Sequence, residues 1–491
     1  MAKKKKEAPL TGMTVPKEED FSGWYTELIN KAELADIRYN IKGFVVYREW
    51  ATITIKKMYA KYEKCMEDNG HMPLTMPSLI PESNFLLEAD HVKGFAPEVF
   101  WVTEAGSSGK LAERLALRPT SETALYKMYS LWIQSYKDLP YKRYLSCQVW
   151  RYEGKMTRPF FRAREFHWIE GHDVFSTMEG ARNQVIEDME MTYQMIQDEF
   201  GIPIIFFERP QWDKFAGAIN TYAADALMGS GKVLQLPSTH LLGQNFAKPF
   251  DVKFVDKDGE EKYGYQTCYG PAISRIYGAM IAHLGDDKGL ILPFDLAPVQ
   301  IVIVPILFKG KEKKVLEKAK EIYNSLKVKY IVRIDDSDGS AGNKFYYWEL
   351  KGVPIRIEIG PKDIENSQVV IVKRHDGQKF FVKETELKEF IDNIATNYTR
   401  EIKEKSIVDF ESQIEVAYEK DAAIEAINNG KIVCCGFCSI DRAGEHCAEV
   451  VEKDIGGFVR GKRVDEEKHE FATCIICNKP ATCTVYIAKS Y

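Results

Sequence analysis

The stretch Phe160-Phe-Arg162-Ala-Arg-Glu165-Phe166-His-Trp168-Ile-Glu170-Gly-His172 repeats its large and charged side chains with a period of two. On a β-strand, residues i and i+2 project from one face, so Arg162, Phe166, Trp168 and His172 would share a surface. Upstream, Thr120 and Glu122 are two apart. Arg151 and Glu153 are also two apart, and they end the run Leu145, Cys147, Val149. If these segments adjoin in an antiparallel sheet, one surface presents two arginines, at least two carboxylates, two aromatics and a histidine. Arginine forks bind phosphate or carboxylate bidentately. Aromatic rings wall an apolar or ring-shaped ligand. The pattern suits a phosphate-bearing ligand beside a small acid or amino acid. The alternative is a charged, solvated sheet face.

Downstream, Ser176-Thr-Met-Glu179 has the form of a capping box and Gly201 that of a helix stop, which predicts a helix over about 177–200. A strand is predicted over Ile204–Phe207. From Val299 the texture changes. VQIVIVPILF (299–308) is a continuous apolar run, as in a strand covered on both faces. Val315, Leu316, Ala319, Ile322, Tyr323 and Leu326 then follow at helical spacing. Strands are predicted around 329–334, 353–359 and 368–373, and the alternation reads as an α/β unit. The joint LILPFDLAP (290–298) is a natural boundary.

The chain has 491 residues, which suggests about three domains. Apolar residues make up 45% and charged residues 28%, which excludes a mainly disordered or collagen-like chain. With 67 Lys+Arg against 72 Asp+Glu, any nucleic-acid contact must use a local patch. No run approaches the ~20 apolar residues of a membrane span. The opening MAKKKKEAP is basic and lacks an apolar signal region, so a cytoplasmic protein with a loose basic tail is expected.

Common nucleotide motifs are missing. Gly229-Ser-Gly-Lys232 resembles the end of a phosphate-binding loop, but Ala226 and Val233 break the pattern. The dinucleotide fingerprint and the usual zinc-protease and serine-hydrolase signatures are absent. Asp335-Asp-Ser-Asp338-Gly339 is an acidic turn, not a full calcium loop. Bound phosphates would be held by arginine forks on a sheet, with Mg²⁺.

Seven of the ten cysteines lie after residue 430. Clustered cysteines in a large chain of this kind argue for a metal before a disulfide framework. Cys474-Ile-Ile-Cys477 has zinc-ligand spacing. Its partner pair is either Cys435 with Cys438 or Cys438 with Cys447, and redox use of the C-x-x-C is the competing reading.

Taken in order, Arg118-Pro-Thr-Ser-Glu122, Arg151-x-Glu153 and Arg158 through His172 closely resemble the prolyl-tRNA synthetase family of class II aminoacyl-tRNA synthetases. The resemblance continues through Lys214-Phe-Ala-Gly-Ala218, Ser238-Thr-His240, Gly243-Gln-Asn-Phe246 and Gly285-Asp-Asp287. It reaches Trp348 to Pro354, Gly360-Pro-Lys-Asp363 and the final Ala488-Lys-Ser-Tyr491. The cysteine-rich tail and final tyrosine are similar to the archaeal/eukaryotic-type branch. This implies an α/β multidomain (α+β) chain: an antiparallel six-stranded core over 20–297, an α/β anticodon-binding domain over 298–400 and a small zinc-binding α+β domain over 401–491, after a flexible basic tail over 1–19. It implies a homodimer joined near Pro77 and Leu79–Pro81. It also implies L-proline, ATP and tRNA(Pro) as partners, with no DNA and no membrane.

Residue roles follow from the same resemblance. Arg151 and Arg275 would act on the reacting phosphates. Arg151, Glu153, Arg162, Gln235, Ser238 and Arg275 would hold ATP. Thr120, Glu122, Arg151, Phe166, Trp168, Phe215 and His240 would hold proline. Phe345, Glu349, Arg356, Lys362 and Asp363 would face the anticodon, with Glu349 and Arg356 equally open to reading as surface ion pairs. Cys438, Cys447, Cys474 and Cys477 would bind zinc, with Cys435 as substitute for Cys438; Cys434 and Cys483 would pack in the core. Tyr491 would direct its carboxylate toward the active site. Two departures from the family pattern stand out. One extra residue lies between Gly270 and Arg275, and eight residues separate Cys438 from Cys447.

Overall fold

A computed structural model describes residues 12–87, 98–154, 156–465 and 471–491. Six strands make the central sheet: β1 (Tyr141–Trp150), β2 (Glu165–Phe175), β3 (Ile205–Glu208), β4 (Asn220–Leu227), β5 (Lys232–Gly243) and β6 (Tyr265–Tyr269). They lie in the order β3-β4-β5-β6-β2-β1, and every neighbouring pair is antiparallel. This is the expected six-stranded core. Strands β1 and β2 pair from Tyr141↔Val174 to Trp150↔Glu165. That register puts Leu145, Cys147 and Val149 on the face that carries Phe166, Trp168, Glu170 and His172.

Because β2 begins at Glu165, Arg162 does not share its face as the period-two reading held. It sits in the preceding turn, where Phe160 has a φ of +66°. Arg151 and Glu153 follow the end of β1, although the Arg151 N–H still bonds to the Arg164 carbonyl.

Six helices matter to the site and its supports: α1 (Phe21–Lys31), α2 (Glu49–Asp68), α3 (Glu122–Trp132), α4 (Met178–Thr192), α5 (Ile273–Leu284) and, further on, α6 (Glu312–Leu326). Helix α4 starts one residue later than the capping-box reading, because Thr177, not Ser176, accepts the Gly180 N–H at 3.1 Å. It continues as a π-helical segment over Tyr193–Glu199. Residues 1–11, most of the expected basic tail, lie outside the described residues. Residues 12–19 are not loose. Glu27 accepts the N–H groups of Thr14 and Val15 at 2.9 Å, and Lys17 Nζ donates to the Gly285 carbonyl at 2.6 Å. These bonds satisfy backbone and ammonium groups that a free tail would leave to water.

The next unit contains β7 (Ile301–Pro305), β8 (Val332–Ile334), β9 (Ile355–Ile359), β10 (Gln368–Lys373) and β11 (Lys379–Lys383). Their order is β8-β7-β9-β10-β11, parallel through β8-β7-β9 and antiparallel beyond. Every residue of β7 is buried, as its apolar run predicts. Helix α6 buries Val315, Ala319, Ile322 and Leu326 on its inner stripe.

The last unit holds β12 (Ile414–Val416), β13 (Ile432–Phe437), β14 (Phe458–Arg463) and β15 (Cys483–Ser490). It is not an appendage. Strand β14 pairs with β3 (Lys462↔Glu208, Arg463↔Phe207), and β15 meets β5 in parallel at Lys232↔Lys489. With the two-residue strand Met72–Pro73 at the far edge, the sheet becomes eleven-stranded. No described helix is long and apolar enough to cross a membrane.

Candidate active site

A cavity of about 230 Å³ opens on the face of β2, β5 and β6. Thr120 and Glu122 enter it from the start of α3, Phe215 from the loop after β3, and Arg275 from the first turn of α5. The register explains the convergence. His240 of β5 lies opposite Cys268 of β6, which lies opposite His172 of β2.

One end of the cavity is acidic. Glu170 accepts the Thr120 hydroxyl at 2.8 Å, the Ser121 N–H at 3.2 Å and the Ser121 hydroxyl. Thr120 also contacts the Glu122 carboxylate. Burial alone would raise Glu170. His172, with Ser121 and Thr120, outweighs it and holds that carboxyl at about 2. Burial likewise opposes the charge on His172, but Glu170 and Glu122 keep it above its ordinary value. Glu170 and His172, 3.8 Å apart, thus balance one another, and the Glu122 carboxylate leaves the pocket floor negative. Such a floor suits a cation.

The walls are aromatic. Phe166 and Trp168 lie 5.7 Å apart, with the Arg151 guanidinium 4.8 Å above Trp168. Gly270 is required here, since a Cβ would come within 2.7 Å of the Trp168 ring. Phe215 and His240 lie 4.7 Å apart with their rings tilted by 33°. Thr221 and Ser238 flank the His240 nitrogens at 2.9 and 3.0 Å. Burial, with the charges of His172 and Arg151, drives His240 down to about 3, so it is a neutral wall.

The other end is cationic. Arg275 donates to the carbonyls of Phe161 and Gln235, both at 3.2 Å. Burial and the nearby charges of Arg151 and Arg162 lower it to about 10. A buried guanidinium lowered by two neighbouring positive charges favours an anion beside it. Gln235 and Ser238 line the same cavity. Arg162 and Glu153 are not among its lining residues and pair with each other at 3.4 Å.

The lining also includes residues that the sequence reading did not select: Glu170, Arg209, Thr221 and Cys268. Glu170 falls on the same two-residue beat as Phe166 and Trp168, a signal that was present. Cys268 needed the strand register, and Arg209 needed the fold.

In the last unit, one Sγ from each of Cys438, Cys447, Cys474 and Cys477 lies within 4.8 Å of the others. Cys438 and Cys447 are 3.7 Å apart. A tetrahedron with zinc–sulfur bonds of about 2.3 Å has edges of about 3.8 Å, so these residues fit zinc. Cys435 is fully buried in the hydrophobic cluster of its domain, outside this group. Cys434 is buried and Cys483 half-buried, both among apolar neighbours.

In the middle unit, Phe345 and Glu349 lie on α7 (Ala341–Leu350), and Arg356 lies on β9. The Arg356 guanidinium sits 4.2 Å over Phe345 and donates to Glu349 at 2.9 Å and Glu358 at 3.0 Å. Arg356 is buried, so it pairs with Glu349 inside the fold and not as the surface ion pair that the sequence left open. Lys362 and Asp363 follow β9 on the short helix α8 (Pro361–Glu365), where Asp363 accepts the Gly360 N–H at 2.8 Å. Tyr491 is anchored. Its hydroxyl bonds Ser230 at 2.6 Å, and its ring meets Phe161 edge-on at 5.1 Å, beside the carbonyl that holds Arg275.

This chain is 48% identical to the proline–tRNA ligase of Thermofilum pendens over 483 residues, 98% of this chain and 99% of that protein. The chain belongs to the prolyl-tRNA synthetase family. The enzyme of that name from Methanopyrus kandleri is 41% identical, with 96% of each chain covered. Residues 100–284 match the class II core domain of the G, H, P, S and T tRNA synthetases, residues 300–396 an anticodon-binding domain, and residues 420–491 the prolyl-tRNA synthetase C-terminal domain. A solved structure of Giardia lamblia prolyl-tRNA synthetase in complex with prolyl-adenylate superposes with a TM-score of 0.94 at 36% identity, covering 98% of this chain and 100% of that one.

Proposed function

We propose that this chain is a proline–tRNA ligase. It would activate L-proline with ATP to prolyl-adenylate and pass the prolyl group to the 3′ end of tRNA(Pro). The observation that carries this reading is the polarity of one small cavity: a buried carboxylate floor at Glu122 and an arginine end at Arg151 and Arg275. Both ends are needed to bring a secondary ammonium and a phosphate chain together.

Glu122, with Thr120, holds the proline imino group. Phe166, Trp168, Phe215 and neutral His240 enclose the ring. Arg151, lying over Trp168, reaches both the proline carboxylate and the α-phosphate. The carboxylate oxygen attacks that phosphorus, and pyrophosphate leaves. Arg275 takes up charge on the leaving phosphates, while Gln235, Ser238, Glu153 and Arg162 hold the rest of the nucleotide. Positioning and charge stabilisation supply the catalysis. The phosphate end offers arginines rather than a carboxylate cage. Mg²⁺, when bound with ATP, would supply further charge neutralisation for the phosphates beside Arg151 and Arg275. In the second step, the terminal ribose hydroxyl of tRNA attacks the activated carbonyl and gives up its proton; the carbonyl–phosphate bond breaks and AMP leaves.

Phe345, Glu349, Arg356, Lys362 and Asp363 form the anticodon face, by stacking and base-edge hydrogen bonds. The four-cysteine cluster holds a structural zinc. We divide the chain at 20–297, 298–400 and 401–491. We place it in the cytoplasm as a homodimer that handles tRNA and not DNA.

The test is ATP–pyrophosphate exchange with proline, cysteine, alanine and threonine, with and without tRNA. Strong exchange with proline supports the reading. No exchange with any amino acid, from folded zinc-replete protein, would overturn it and leave a catalytically silent relative.

A further inference from the structure

We infer that Arg460, a residue of the last domain, is a positioning residue for the ATP end of the active site, acting through Asp225 and Arg209 on Gln235. This rests on the proposed role of Gln235 toward ATP.

Asp225 lies on β4, directly opposite Gln235 on β5, at an irregularity in the register. Its carboxylate is almost wholly buried and clamped from two sides. Arg460 donates Nε at 2.6 Å and Nη2 at 3.1 Å, a bidentate fork. Arg209 donates Nη2 at 2.6 Å to the same carboxylate and at 3.2 Å to the Gln235 side-chain oxygen. Arg209 Nη1 returns to the Arg460 carbonyl at 2.9 Å. The chain of contacts therefore runs from the last domain to a cavity-lining side chain without a gap.

The backbone of β14 is shaped for this. The β14–β15 register is irregular between Val459 and Gly461, the positions that flank Arg460. Gly461 has a φ of +124°, and a Cβ there would lie 2.1 Å from the Glu208 carbonyl oxygen. Only glycine allows this close approach of β14 to β3.

The charge count also points toward the cavity. Two buried guanidiniums share one buried carboxylate, an excess of one positive charge. The excess is that of the buried groups alone: Asp213, which acts on both guanidiniums, is exposed and lines the same cavity. A purely structural buried cluster gains most when its charges balance. Arg209 lines the cavity, and its buried Nε has no hydrogen-bond partner among the described residues. An excess cation there suits a site that receives a polyphosphate, and docking of the last domain would be felt where ATP binds.

The experiment is steady-state pyrophosphate exchange on full-length Arg460→Lys, Gln235→Ala and the double variant, with zinc content and Tm measured in parallel. Lysine keeps the charge but cannot span both Asp225 oxygens. The expected result for Arg460→Lys is a KM for ATP raised at least threefold, a KM for proline within 1.5-fold, and unchanged zinc content. In the Gln235→Ala background, Arg460→Lys should add less than 1.5-fold, because both act on one contact. Arg460→Gln provides a second, stronger loss of the fork. Unchanged KM for ATP in folded Arg460→Lys, beside a raised one in Gln235→Ala, would overturn the coupling alone. So would effects that multiply independently. An unchanged KM for ATP in Gln235→Ala would overturn the ATP role of Gln235, and the coupling with it.

Discussion

Replacing Glu122 by glutamine is the sharpest probe of the proline end. The change keeps the shape of the side chain and its capacity to accept from Thr120, but removes the charge. Two carboxylates share this floor, and the structure separates their roles. Glu170 is committed to Thr120, to the N–H and hydroxyl of Ser121, and to His172. Glu122 contacts the Thr120 hydroxyl and lines the cavity. A hydrogen bond to a charged partner in a buried site contributes about 2–3 kcal/mol. At about 1.4 kcal/mol per tenfold, that corresponds to a roughly 30- to 140-fold fall in kcat/KM for proline. The KM for ATP should stay within threefold, since Arg151 and Arg275 are untouched. Exchange assays with each substrate varied, beside a thermal melt showing Tm within a few degrees, would read this directly. A kcat/KM for proline within twofold of the parent enzyme would refute the reasoning and shift the ammonium contact to Glu170. An equal loss toward ATP would show that the acidic floor organises the whole cavity.

Three further outcomes follow from other parts of the molecule. Cys474→Ser should lose bound zinc, from one ion per chain by elemental analysis, and should lower Tm; retention of stoichiometric metal would exclude the four-cysteine site. Phe345→Ala removes the ring beneath Arg356 and should raise the KM for tRNA several-fold in charging assays, leaving pyrophosphate exchange without tRNA intact; equal losses in both would contradict an anticodon role. Asp188, buried on α4, is raised from 3.8 to about 7 by burial and the neighbouring Asp173, against the bonds from Thr239 and Gln184 and the charge of His71. Its folded value exceeds its unfolded one, so its stabilising contribution is full below about pH 4 and is lost as pH rises toward 7. The gap corresponds to roughly 4 kcal/mol as an upper bound. Asp188→Asn should therefore match the parent in Tm at low pH and exceed it at pH 8; a variant less stable at pH 8 would refute this.

Much of the catalytic core was legible because strands impose a strict beat. Phe166 and Trp168 could be assigned to one face from spacing alone, and the same beat passes through Glu170. Arg162 was misplaced on that face because the positive φ at Phe160 breaks the strand before Glu165, and a backbone reversal leaves no mark on side-chain alternation. The start of α4 slipped by one residue because Ser176 and Thr177 are both competent caps, and only the geometry chooses between them. The described part of the expected tail was misread because lysine content suggests solvation, while the bond from Lys17 to the Gly285 carbonyl depends on a partner 268 residues away.

What the sequence determined by itself was local and chemical. It carried the apolar run that makes β7, the two-residue rhythm of β2, the C-x-x-C pair at Cys474, and the ordered motifs that place this chain among the prolyl-tRNA synthetases. What only the tertiary structure decided was which distant groups share a space. It chose Cys438 over Cys435 for the cysteine cluster, because β13 turns Cys435 into the apolar core of its domain. It paired Arg356 with Glu349. It joined the last domain to the catalytic sheet through β14 and put Arg460 against Asp225. Hydrophobic rhythm and short spacings act over a few residues of covalent chain. Strand order, register and the burial of a charge are settled by long-range packing, where residues hundreds of positions apart compete for the same few ångströms.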